Sequence, residues 1–265
     1  MKDFTTISVT REGAIDWLTL NRPDRINALN GAMIRELWAY FDKLHSDFSC
    51  RVVVIRGAGS GFCAGLDLKW FSAAPGELPT GANENGPGPS LSGIILKMRS
   101  CPQAIVALIH GAACGGGFNL ALASDIRIAG RSAKMNVTYV KLGLSGCELG
   151  TSYFLPRMLG SSVAAELMMT GRFINADRAL ATGLVSDVVE DDQLSQAART
   201  LAEDLLASTP MGLRKTKEVL ARASELEDLA SVIAFEEHTQ LSCMAAGNFG
   251  PTIPGQSKQN PEPQK

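Results

Sequence analysis

The chain has 265 residues, of which 45% are hydrophobic and 20% charged, enough to bury the core of one large domain or of one domain with an appendage. A formal net charge of −2 and a pI near 6.0, with Lys and Arg scattered, exclude the basic footprint of a nucleic-acid binder. Cys50, Cys63, Cys101, Cys114, Cys147 and Cys243 stand apart, with no CxxC pair and no Cys/His cluster at ligand spacing. We therefore expect no metal and reduced thiols, and with no apolar run near the ~20 residues that span a bilayer we expect a cytoplasmic protein with no membrane partner.

Thr6 to Leu20 alternates apolar and polar residues around Arg11-Glu12-Gly13, which predicts a hairpin ended by Asn21-Arg22-Pro23. Met33, Leu37, Tyr40, Phe41 and Leu44 recur at helical spacing within Asn30 to Phe48, and Arg51 to Arg56 is a buried strand delivering the chain into a glycine loop. Ser72 to Ser92 is rich in Gly, Pro, Asn and Ala and reads as a mobile surface segment. Leu91 to Met98 is helical, Ala104 to Ile109 is a second buried strand, and Phe118 to Ser124 follows a second glycine loop as a helix. Strand, glycine loop and helix thus occur twice in order. Asp125–Ile128 and Lys134–Asn136 read as short strands, while Ser162–Thr170, Asp177–Gly183, Asp192–Ala207 and Pro210–Phe235 read as helices that make the last third a helical bundle. From Gly247 onward the composition is that of a disordered tail.

The first glycine loop is Gly61-Phe62-Cys63-Ala64-Gly65-Leu66-Asp67-Leu68, and the second is His110-Gly111-Ala112-Ala113-Cys114-Gly115-Gly116-Gly117-Phe118-Asn119. Each leaves a strand and opens a helix, where free N–H groups and a partial positive charge make a site for a developing oxyanion. Glycine also serves tight turns for geometry alone. A dinucleotide site does not fit, because Gly111 to Gly115 is not GxGxxG and does not open the chain.

With Asn21-Arg22-Pro23, Asn27-Ala28-Leu29, Ala123-Ser124-Asp125-Ile126-Arg127 and Thr170-Gly171…Ala179…Gly183-Leu184-Val185, these loops closely resemble the crotonase (enoyl-CoA hydratase/isomerase) superfamily from about Thr6 to about Ala221. The resemblance implies an α/β protein of the crotonase (ClpP-like) fold, with repeated ββα units forming a spiral core over residues 1–205. A C-terminal helical trimerisation region would occupy 206–246 and a disordered tail 247–265. It also implies an acyl-CoA thioester substrate, no cofactor beyond that CoA, and a homotrimer or hexamer.

Carried onto this sequence, the resemblance puts the thioester oxygen on the backbone N–H groups of Leu66 and Gly116. Arg25, Ala28, Ala64, Asp67 and Leu68 would line the CoA, with Arg25 on phosphate, and Lys217 would contact CoA from a C-terminal helix. Two-acid hydratases of the family carry carboxylates where this chain has Asn119 and Tyr139, so the hydratase pair is absent and these two residues read as substrate contacts. Glu148, within Cys147-Glu148-Leu149-Gly150-Thr151, stands where dienoyl-CoA isomerases and a dehalogenase of the family carry a carboxylate. The function expected is therefore acyl-CoA transformation through a thioester enolate, with Glu148 as acid and base. The alternatives are Glu148 as a dehalogenase- or hydrolase-like nucleophile, and a catalytically silent CoA-ester-binding protein.

Overall fold

The structure, a computed structural model, describes residues 4–73, 88–223, 225–226 and 228–247. The mobile segment expected between Ser72 and Ser92 falls outside them from 74 to 87, as does the expected tail from 248 onward. Two compact units divide the chain, Met1–Ala207 and Ser208–Lys265.

In the first unit, β1 (Ile7–Glu12) and β2 (Ile15–Leu20) form the expected antiparallel hairpin, turning at Gly13 with φ +59°. Parallel strands β3 (Val52–Gly57), β4 (Ala104–Ile109), β6 (Ile126–Gly130) and β9 (Asp187–Val189) extend it to a six-stranded sheet in the order β1-β2-β3-β4-β6-β9. A smaller sheet joins β5 (Ala112–Cys114), β7 (Lys134–Asn136) and β8 (Ile174–Asn175).

The β-branched runs that signalled β3 and β4 are buried on both faces. Val53, Ile55, Ile105, Ala107 and Ile109 point into one core with side chains of α1 (Gly31–Leu44), α3 (Leu91–Ser100) and α4 (Gly116–Ala123). Val52, Val54, Val106 and Leu108 point into another, closed by Leu194, Ala198 and Ala202 of α8 (Leu194–Ala207). A strand covered on both sides needs no polar face, which is why these runs are continuously apolar.

Three sequence expectations change. The last third is not one helical bundle: α6 (Ser161–Thr170), α7 (Ala176–Ala181) and α8 belong to the first unit, and α8 covers the sheet. The helix expected from Pro210 to Phe235 is two, α9 (Pro210–Ala223) and α10 (Leu229–Ala245), because the Asp228 carboxylate accepts from Ser231 N at 2.9 Å and starts a new helix there. The first glycine loop opens α2 (Leu68–Ala73), as expected, whereas no expected range covers α5 (Thr151–Leu159).

Candidate active site

Three chain segments are laced together at the carboxyl ends of β3 and β4. The first glycine loop pairs with the second through Phe62 N to His110 O at 2.8 Å, Cys63 N to Ala112 O at 3.0 Å and Cys114 N to Cys63 O at 2.9 Å. On its other side Leu29 N donates to Gly65 O at 2.7 Å and Asp67 N to Leu29 O at 3.0 Å, a parallel bridge that turns the N–H of Leu66 away from Leu29. Close approach demands the glycines. A Cβ on Gly65, where φ is +88°, would lie 2.6 Å from Cys114 O, and one on Gly117 would lie 2.3 Å from Cys63 O.

Gly116 is the first residue of α4, so its N–H has no acceptor within the helix, and the site a Gly65 Cβ would take is 3.5 Å from Gly116 N. The backbone network binds the amides of Cys63, Ala64, Asp67, Cys114, Gly115 and Asn119 and leaves out those of Leu66 and Gly116, along with Gly65, Gly117 and Phe118. Two unengaged amides at the join of two loops, one of them on a helix N-terminus, suit a carbonyl oxygen that gains charge.

Asn27 fixes the entrance to the first loop. It is fully buried with φ +54°, its Nδ2 donates to Ala58 O, Gly61 O and Phe62 O at 2.8, 2.9 and 3.2 Å, and its Oδ1 accepts from Arg22 N at 2.9 Å. Arg22 also donates to Ala28 O and pairs with Asp67 at 2.9 Å. Burial pushes the Asp67 carboxyl up, but the Trp70 N–H and Arg22 outweigh it and hold its pKa below the ordinary value. Asp67 thereby ties the loop to the 22–28 segment and caps α2.

The other expected CoA contacts lie on these segments. Arg25 is exposed beside Asp24 at 3.6 Å, Ala28 is buried, Ala64 is half-buried and donates its N–H to Ile26 O at 2.8 Å, and the Leu68 side chain is exposed. Lys217 belongs to the second unit, where it sits buried on α9. The structural roles of Arg22, Asn27 and Thr151 are not apparent from sequence, although Arg22 and Asn27 stand within the motifs that carry the resemblance.

Asn119, Tyr139 and Glu148, distant in sequence, converge beside Gly116. Asn119 is buried on α4, and its Nδ2 reaches Glu148 O, Leu149 O and Thr151 Oγ1 at 3.2, 3.0 and 2.9 Å. Its Oδ1 accepts from the Tyr139 hydroxyl at 2.9 Å. Burial, then the charge of Glu148, then Cys63 raise the Tyr139 pKa, so the phenol stays neutral. The Glu148 side chain is exposed, and Leu149 beside it holds φ +49° with its Cδ1 3.8 Å from the place a Gly116 Cβ would take. Of the two carboxylates on these loops and the Glu148 turn, Asp67 is engaged by Arg22 and the α2 cap, while Glu148 is open.

Residues 10–250 match the family model of enoyl-CoA hydratase/isomerase. A protein of Mycobacterium leprae (strain TN) named a probable enoyl-CoA hydratase is 37% identical over 226 residues, 84% of this chain and 77% of its own. A 1,2-epoxyphenylacetyl-CoA isomerase of Escherichia coli (strain K12) is 33% identical over 220 residues, 80% of each chain. A structure from Thermobifida fusca YX, in complex with acetoacetyl-CoA, superposes with a TM-score of 0.78 at 31% identity over 91% of this chain and 95% of its own.

Proposed function

Because the chain belongs to the enoyl-CoA hydratase/isomerase family and is an enzyme of the hydratase/isomerase type with the crotonase fold, we propose that it moves a proton along an unsaturated acyl-CoA. The thioester oxygen lies between the Leu66 and Gly116 amides, and Glu148 exchanges the proton. In a 3-enoyl-CoA the Glu148 carboxylate takes a proton from C2, the electron pair delocalises through C1 onto the thioester oxygen and through C3 onto C4 as a dienolate, and the Glu148 acid returns the proton to C4. Product is the 2-enoyl-CoA, with atoms and charge unchanged overall. Preorganised amides lower the barrier because they need no rearrangement as the oxygen gains charge.

The observation that carries this reading is that Glu148 is an exposed carboxylate whose backbone carbonyl is held by Asn119, on the α4 turn that begins at Gly116, whereas Asn119 and Tyr139 present neutral groups bonded to each other. One exchangeable carboxylate suits a shift of one proton between carbons. Hydration is the second reading, favoured by the hydratase named among the relatives, and it has exposed Glu148 activate water.

Substrate recognition follows from the same loops. CoA would lie along Arg25, Ala28, Ala64, Asp67 and Leu68, with Asp67 acting through its clamp on the loop, and Lys217 of α9 is the further CoA contact that the family resemblance implies. The reaction as written needs no cofactor. We also place the protein in the cytoplasm as a trimer or hexamer; its six cysteines are free thiols, and no helix among the described residues is long and apolar enough to cross a membrane.

Absorbance assays on crotonyl-CoA, a 3-enoyl-CoA and a dienoyl-CoA test the reading. Turnover of a 3-enoyl or dienoyl ester above crotonyl-CoA is expected. Crotonyl-CoA hydration as the fastest reaction would favour the second reading, and binding of all three esters without turnover would contradict both.

A further inference from the structure

We infer that Asn119 is the positioning residue for Glu148, its buried side-chain amide holding the turn Glu148-Leu149-Gly150 in register with the Gly116 amide. The inference rests on the Glu148 reading above. Leu149 at φ +49° and Gly150 at φ +82° put two successive left-handed residues directly after Glu148. For Leu149 that conformation is strained, because its Cβ crowds the backbone, so the turn persists only where its surroundings hold it.

What holds it is a closed set of bonds. Asn119 Nδ2 faces the Glu148 carbonyl, the Leu149 carbonyl and Thr151 Oγ1. Thr151 donates its hydroxyl at 2.6 Å and its N–H at 2.9 Å to the Glu148 carbonyl. The Tyr139 hydroxyl donates to Asn119 Oδ1, which settles the amide's orientation, since the reverse would set an oxygen against two carbonyl oxygens. Asn119 and Gly116 lie on the same turn of α4, so the amide that steadies Glu148 and the N–H that receives the thioester oxygen share one rigid element.

An amide supplies donors and an acceptor together, and a carboxylate here would supply acceptors only. Asn119→Asp therefore tests the role at nearly constant shape. Ionised, the introduced carboxyl would repel the two carbonyls and add a negative charge beneath Glu148; protonated, it would donate again. The titratable groups facing this position are Tyr139, from the turn after β7, and Glu148. Cys63, from the first glycine loop, is the other group acting on Tyr139. Burial lifts the Tyr139 phenol above its ordinary value and the Cys63 thiol to about 12, so neither titrates between pH 5 and 9, about the working range of an assay.

The experiment measures kcat, KM and the pH profile of wild type, Asn119→Asp and Glu148→Gln, on whichever of the three CoA esters wild type turns over, with thermal melting to establish folded protein. For Asn119→Asp we expect kcat to fall about 100-fold at neutral pH with KM nearly unchanged. We also expect partial recovery as pH falls, giving an alkaline limb that wild type lacks. A profile parallel to wild type overturns the positioning role while leaving Glu148 in place. Full activity in Glu148→Gln, or a wild type inert on all three esters, overturns the Glu148 reading and the positioning role with it. If Asn119→Asp does not fold, Thr151→Val decides: a severalfold loss of kcat at constant KM supports the role, and an unchanged kcat overturns it.

Discussion

The amides of Leu66 and Gly116 are backbone groups, so the side chains that matter around them are those that set the backbone. Leu66→Met should leave kcat within about threefold, because its N–H stays put. Gly65→Ala must adopt φ +88° and drive a Cβ to 2.6 Å from Cys114 O. A loss of about 100-fold in kcat is expected there, the cost of displacing one oxyanion donor, and steady-state kinetics on the best CoA ester checks both variants. The motif around Glu148 is legible because its residues are contiguous. The hydrogen-bond set of Asn119 is not. Its partners Tyr139, Glu148, Leu149 and Thr151 lie 20 to 32 positions away, and only packing of α4 against the turn before α5 joins them.

At the scale of elements, the site depends on how firmly the first glycine loop is held. Asn27→Ala would strip donors from the buried carbonyls of Gly61 and Phe62 and the half-buried one of Ala58, and urea unfolding should show a loss of about 3 kcal/mol. Asp67→Asn tests the clamp to Arg22. Because the folded-state pKa of Asp67 is depressed, its contribution is present above the ordinary aspartate value and is lost as pH falls through the folded value. Wild type should thus exceed Asp67→Asn by about 1–2 kcal/mol at neutral pH, with the gap closing well below about pH 4 in denaturant titrations. Strands β3 and β4 were readable because apolar β-branched runs admit few alternatives. α5 was hidden by the glycines on either side, Gly150 and Gly160, and by Pro156 inside it. The break between α9 and α10 was hidden because apolar spacing runs on through a segment whose only stop signal is the cap at Asp228.

For the whole molecule, the first unit buries its sheet on both faces, while the second unit leaves apolar surface open. A groove of about 730 Å³ on α9 and α10 is lined in part by Val219, Leu220, Ile233 and Leu241. Leu220 and Leu241 are each more than 60% exposed, so this face offers the kind of surface that assembly covers. Light scattering should give three or six times the chain mass of 28.2 kDa, and a monomer would contradict the proposed assembly. The chemistry stands or falls elsewhere, on whether Glu148 carries the proton. The direct measurement is kcat for isomerisation of a 3-enoyl-CoA by wild type and by Glu148→Gln at saturating substrate. A loss of about 10²–10⁴-fold with KM little changed is the expected result. Equal kcat in the two proteins would contradict it.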